Sequence, residues 1–347
     1  MRTVYIGTWS SYLYVLDLDL EKKQITLRES IDVGVSPSWI TLNKSKTILY
    51  TVNESDNFKN EQGTGGILSF AIGSDGSLKQ ITETQSLGVA PCHMSIDKDE
   101  QFLTVANYMG TLATFETKDG LLKKEPIQVI KNEGSGPHDR QESSHPHSFV
   151  FSPDQKFAFL CDLGLDKVFQ YKYNSNTGEL VPNQNETYIK VQPGFGPRHI
   201  SFHPNCKHAY LLNELNSSLI VCDYNDENGT LTEKQSHTLL PDGAKFEDNL
   251  AGEVEVTPDG KFLYATNRGD ADSIAIFSIL DDGNVSFVSH QRTGKYPRHF
   301  AIENDVMLVV NQNQDRLQLF ERNTDSGLLI EKSSLLGLEK PVCVIIL

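Results

Sequence analysis

Two matched triplets, Pro197-Arg198-His199 and Pro297-Arg298-His299, hold the residues of this chain whose types most directly suggest chemistry. An arginine cannot shed its proton, and its planar fork of N–H groups matches a carboxylate or a phosphate. The chain carries 31 Lys+Arg against 46 Asp+Glu, a formal charge of -15, so a pair of matched arginines points to a small anionic ligand. The same charge excludes nonspecific nucleic-acid binding, which rests on neutralising phosphates, and opposes docking on an anionic membrane. Further imidazoles lie at His93, His138, His145 and His147, the last three in the segment Gly134–Ser148. His145 and His147 are two apart and would share a strand face, which raises zinc, but no cysteine or third well-spaced ligand accompanies them. No metal ligand set and no cofactor is therefore expected. Gly-rich phosphate loops, Gly-x-Ser-x-Gly elbows and His-Glu-x-x-His elements are all missing from the chain.

The elements that must position these residues repeat. Prolines at 37, 91, 146, 197, 297 and 341, most of them in Gly-x-x-Pro, each open a unit. An apolar strand in the unit ends on Asn53, Asn107, Asp162, Asn213, Asn267 or Asn311, at intervals of 54, 55, 51, 54 and 44. The fifth copy replaces its proline with Ala251-Gly252-Glu253. Within each unit, short β-rich runs alternate with Gly, Asn, Asp, Ser and Pro at spacings of about ten residues, the pattern of antiparallel strands. Ser152-Pro153-Asp154 and Thr257-Pro258-Asp259-Gly260 read as hairpin turns between first and second strands. Four strands per copy and about fifty residues per copy predict an all-β, seven-bladed β-propeller of four-stranded antiparallel blades.

The chain ends complete this count. Pro341–Ile346 is a first strand with nothing after it, and Val4–Ile6 with Tyr12–Leu18 are later strands with none before. Their pairing would close the seventh blade and remove exposed sheet edges, making residues 1–347 one domain. In such a fold the starts of first strands and the ends of second strands face the axis. Those positions carry Trp39, His93, His147, Arg198-His199, Glu253 and Arg298-His299, and also Asn53-Glu54, Asn107, Asp162, Asn213-Glu214, Asn267-Arg268 and Asn311. Plain structural roles compete with chemistry here. The terminal Asn or Asp would cap its own turn, the Gly-x-x-Pro units would serve as turn and edge devices, and His93, His199 and His299 would be satisfied strand residues. The five cysteines are scattered and never form Cys-x-x-Cys, and no apolar run reaches membrane-spanning length. Together with a start directly on a strand, this reads as a cytoplasmic chain, with no motif setting an oligomeric state.

Gly196-Pro197-Arg198-His199-Ile200-Ser201-Phe202-His203-Pro204, running into Tyr210-Leu211-Leu212-Asn213-Glu214-Leu215-Asn216-Ser217-Ser218, resembles the seven-bladed lactonase family. That family includes propeller-type bacterial 6-phosphogluconolactonases and fungal carboxymuconate cyclases. His147-Ser148, Thr257-Pro258-Asp259-Gly260 with Asn267-Arg268, and Arg140-Gln141-Glu142 are weaker matches, and the resemblance spans the full length. It implies catalytic roles for His147, Arg198, Glu214 and Arg268, while His93, His199, Arg298 and His299 are substrate-binding candidates by residue type and axial position, with no role inherited from the family. The activity implied is metal-independent hydrolysis of a phosphorylated sugar lactone, with Glu214 or His147 as base and arginines holding the anionic groups. A muconate-type lactone cyclase and a non-catalytic interaction propeller are the alternatives.

Overall fold

A computed structural model describes residues 1–347, in which all regular structure is strand apart from three single-turn 3-10 segments. The strands form seven antiparallel sheets of four or five strands and one small hairpin, Asn57–Phe58 with Glu61–Gln62. The protein is a seven-bladed β-propeller. Five blades use consecutive strands, a sixth is interrupted only by the small hairpin, and the seventh sets Pro341–Ile346 beside Arg2–Thr8, followed by Tyr12–Asp19 and Gln24–Asp32. The two chain ends pair from Val4 with Ile346 to Gly7 with Cys343 and, after a register shift, Thr8 with Pro341, as the terminal half-repeats predict. In two blades the outer strand is split into short pieces, Leu121–Leu122 with Gln128–Lys131 and Leu180–Pro182 with Tyr188–Lys190. Pro126 and Pro182, which lack an N–H for the ladder, mark these breaks.

Burial explains the strand patterns. The second strands Ile48–Asn53, Phe102–Asn107, Phe157–Asp162, His208–Asn213 and Val306–Asn311 are buried at every residue, so they read as continuous apolar runs. Outer strands such as Leu329–Leu336 expose most of their residues and tolerate charge. The turns into the second strands share one device. Asn43, Asp97, Ser152 and Thr257 each accept the N–H of the strand's first residue, respectively Ile48, Phe102, Phe157 and Phe262.

The glycine of Gly-x-x-Pro has a packing reason beyond the turn. A Cβ on Gly88 would lie 2.6 Å from Asn107 Cγ, and one on Gly294 would lie 2.8 Å from Asn311 Cγ. The two halves of the repeat signature are thus contact partners, and glycine leaves room for the strand-end asparagine.

The chain divides into two compact units. The first comprises Met1–Val33, His199–Tyr224 and Leu231–Leu347, and the second comprises Gly34–Arg198 with Asn225–Thr230. In the first, one core gathers Leu16, Leu308, Leu319 and Val344, and another gathers Tyr210, Leu212, Leu263 and Phe277. In the second, Tyr50, Val105 and Phe115 pack together, as do Phe149, Leu160 and Tyr171.

Candidate active site

A β-bulge just after the leading proline of the first strand sets the candidate residues apart from their ladders. Pro146 pairs with Asp162 and Ser148 with Cys161, which leaves His147 as the extra residue. In the same way Pro297 pairs with Asn311 and His299 with Val310, leaving Arg298. Cys92 occupies this place between Pro91 and His93, and a register shift between Ala251 and Val254 brackets Gly252-Glu253. Arg198 follows Pro197 as His147 follows Pro146. A bulge kinks the strand and re-aims its side chains, so these motifs are pointing devices. The fifth copy needs glycine at this step, because a Cβ on Gly252 would lie 2.5 Å from Thr266 Oγ1 and 3.0 Å from the carbonyl oxygens of Pro297 and Arg298.

In the second unit, Arg198 and His147 are 3% and 4% exposed, and an Arg198 N–H donates to His147 Nε2. Because arginine only donates, this nitrogen carries the lone pair and the imidazole is neutral in this arrangement. Tyr108 presents its ring to His147 edge-on at 5.9 Å and stacks on His145 at 4.2 Å. His145 Nδ1 donates to the Tyr108 carbonyl at 3.0 Å, and its Nε2 lies 3.2 Å from Glu142. The two histidines share Tyr108 as a ring neighbour, but their ring nitrogens find different partners, Arg198 for His147 and the Tyr108 carbonyl and Glu142 for His145. His93 stacks on Trp39 with centroids 4.1 Å apart and accepts the Phe149 N–H at 3.3 Å. Gln141 is fully buried and donates to Asp166 at 2.7 Å, and Asp166 accepts the N–H groups of Gly194 and Gly196 at 2.8 and 2.9 Å. The inserted segment is thereby tied to the turn that leads into Arg198.

In the first unit, Arg268 Nη2 lies 3.1 Å from Glu214 Oε2, with the two side chains 1% and 2% exposed. Arg268 also donates to the Ala251 carbonyl and lies over the Tyr296 ring, 5.2 Å from its centroid. Glu253 binds two imidazoles. His199 Nδ1 sits 2.9 Å from Oε1, and His299 Nε2 sits 3.2 Å from Oε2. Arg298 lies on the Trp9 ring at 4.1 Å.

The remaining candidates differ from the sequence expectation in informative ways. Asn107 and Asn267 do not cap their own turns. Their Nδ2 groups donate to the Ser86 and Leu239 carbonyls, 21 and 28 residues away, where the preceding blade hands over the chain. Asp162 accepts from Ser144 Oγ at 2.6 Å and the His145 N–H at 2.8 Å, yet burial still raises its pKa. Trp9, Tyr108 and Tyr296 lie against candidate residues and went unrecognised in the sequence. A positional signal existed for the first two. Each comes directly after the second-strand residue that pairs with the leading proline, Thr8 with Pro341 and Asn107 with Pro91, a place that Glu214 and Arg268 share. Thr8 disguised it by standing where the other copies have Asn or Asp. Glu255, partly buried, follows Glu253 on the same strand face, and burial plus the Glu253 carboxylate push its pKa up to about 8. No group of three or more His, Cys, Asp or Glu side chains is arranged to hold a metal ion.

Buried Arg–His and Arg–Glu pairs thus stand at strand ends of a seven-bladed propeller. The chain belongs to the lactonase family of seven-bladed β-propellers, whose sequence model matches residues 3–346. It is 34% identical over 351 residues to a 6-phosphogluconolactonase of Bacillus subtilis, covering 98% of this chain and 97% of the relative. A 6-phosphogluconolactonase of Formosa agariphila is 34% identical over 325 residues, covering 91% and 90%. Among solved structures, the periplasmic gluconolactonase PpgL of Pseudomonas aeruginosa superposes with a TM-score of 0.91 at 31% identity, covering 99% of this chain and 98% of that one. That relative overturns the cytoplasmic placement read from the sequence. A protein of the same architecture works in the periplasm, so scattered cysteines and the want of a long apolar run do not assign a compartment. No helix of this chain is long and apolar enough to cross a membrane.

Proposed function

We propose that residues 1–347 act as one domain that hydrolyses a phosphorylated sugar lactone, 6-phosphogluconolactone, to its open acid. The observation that carries this reading is the buried Glu214–Arg268 pair, which puts a carboxylate and a guanidinium 3.1 Å apart. Lactone hydrolysis needs a base for water and N–H donors for the oxyanion that forms on the carbonyl. Glu214 takes a proton from water as the oxygen attacks the carbonyl carbon. Arg268 meets the growing negative charge on the carbonyl oxygen. Collapse breaks the ring C–O bond, and the departing alkoxide takes a proton, leaving an acid and an alcohol. What favours Glu214 over His147 as base is that the acceptor nitrogen of His147 already takes an N–H of Arg198. In the same unit as Glu214 and Arg268, His199 and His299 are the substrate-binding candidates, both held by Glu253.

Acid release from 6-phosphogluconolactone, followed with a pH indicator against the spontaneous rate, tests the reading. Turnover above background supports it. Absorbance change with carboxymuconolactone and none with the sugar lactone would replace it by the cyclase chemistry.

A further inference from the structure

Three arginines lie among the candidate residues, and one differs from the other two. Arg198 and Arg268 are 3% and 2% exposed, and each guanidinium faces an acceptor of the proposed machinery, His147 or Glu214. Arg298 is partly exposed, bulged out of its strand, and laid on the indole of Trp9, which is partly exposed as well. A guanidinium meets a π face through its plane and an anion through its edge, so it can hold both at once. The next residue, His299, is anchored by Glu253 at 3.2 Å, and Glu253 also holds His199 at 2.9 Å. The bulge that carries Arg298 is therefore tethered on its downstream side.

Building on the lactonase reading, we propose that Arg298, held flat by Trp9, is the specificity-determining group that takes the substrate's phosphate. Division of labour is the physical reason. Arg268, buried against Glu214, is assigned to the reacting end, whereas a phosphate ester keeps its charge throughout and suits the partly exposed Arg298. One relative is called a 6-phosphogluconolactonase and another a gluconolactonase, names whose substrates differ by this one group.

The test compares kcat/KM for 6-phosphogluconolactone with that for gluconolactone, reading the ratio of the two. Arg298→Ala should lower this ratio by about 10- to 100-fold, the loss of a charge-assisted contact made by only one substrate. Arg298→Lys, which keeps the charge and loses the flat fork, should fall between. Trp9→Ala should lower the ratio about 2- to 5-fold, with Trp9→Phe closer to wild type. Equal losses on both lactones, or an unchanged ratio, would overturn the assignment while leaving the lactonase reading intact. Calorimetric binding of 6-phosphogluconate and gluconate reads the same contrast without turnover. If wild-type protein turns over neither lactone, the lactonase reading fails, and calorimetry still decides about Arg298: a preference for the phosphorylated acid that Arg298→Ala erases supports it, and equal affinities sink it.

Discussion

Arg268 and Glu214 are joined twice. Their side chains meet at 3.1 Å, and both residues also bind one alanine, for the Ala251 N–H donates to the Glu214 carbonyl at 3.0 Å while the Ala251 carbonyl accepts from Arg268. The pair thus sits on a backbone that its own partners hold in place. A buried ion pair survives desolvation only when its remaining groups are also bonded, and here the neighbouring strand supplies an acceptor. Such a pair is expected to matter to both chemistry and folding, and substitutions can separate the two.

Glu214→Gln retains size and hydrogen bonding but removes basicity. It should lower kcat by about 10²–10⁴ if Glu214 is the general base. His147→Gln is the matched comparison, measured on the same lactone. Near-wild-type turnover in Glu214→Gln with loss in His147→Gln would transfer the base to His147.

Arg268→Ala strands the Glu214 carboxylate in a site where it is 2% exposed. Removing one partner of a buried pair costs about 3–5 kcal/mol. The urea unfolding midpoint should therefore drop well below wild type, and Glu214→Gln should lower it too, because it leaves the buried Arg268 guanidinium without its counter-charge. Equal midpoints for wild type and Arg268→Ala would show that the pair contributes nothing to the fold.

Gly252→Ala places a methyl group 2.5 Å from Thr266 Oγ1 and 3.0 Å from two backbone carbonyls of the next blade. Overpacking of this kind costs about 1–3 kcal/mol. Thermal unfolding should shift down accordingly. Because one of those carbonyls belongs to Arg298, KM for the phosphorylated lactone should rise as well. A variant with wild-type melting would mean that the strands separate without strain.

Glu255 makes stability depend on pH. Its carboxyl is held up at about 8 in the fold, by burial first and the Glu253 charge second, against an ordinary 4.5. Between these values the folded protein keeps a proton that the unfolded chain has released, so this contribution is whole below 4.5 and fades as pH rises toward 8. Replacing Glu255 with Gln abolishes the titration. The melting temperature of wild type relative to Glu255→Gln should fall steadily across that window, and parallel profiles would rule the linkage out.

The blades were legible in the sequence because their signals are local. A second strand buried on both faces has to be apolar throughout, and Gly-x-x-Pro with a strand-end Asn repeats because the two sit against each other, as Gly88 and Asn107 do. Closure was legible too, since the terminal half-repeats Pro341–Ile346 and Arg2–Thr8 complete one sheet. Arg198, Arg298 and His147 stood out by residue type. Only the tertiary structure decided their partners. Glu214 meets Arg268, Glu253 gathers His199 and His299, and Arg298 finds Trp9 from the opposite end of the chain. The Glu253 and Arg298 contacts depend on bulges that shift a ladder, and a bulge leaves no mark in composition or periodicity. Asn107 and Asn267 were misread as caps of their own turns for a related reason: an amide that can bond a nearby backbone can equally bond the preceding blade, and only packing brings Ser86 and Leu239 within reach.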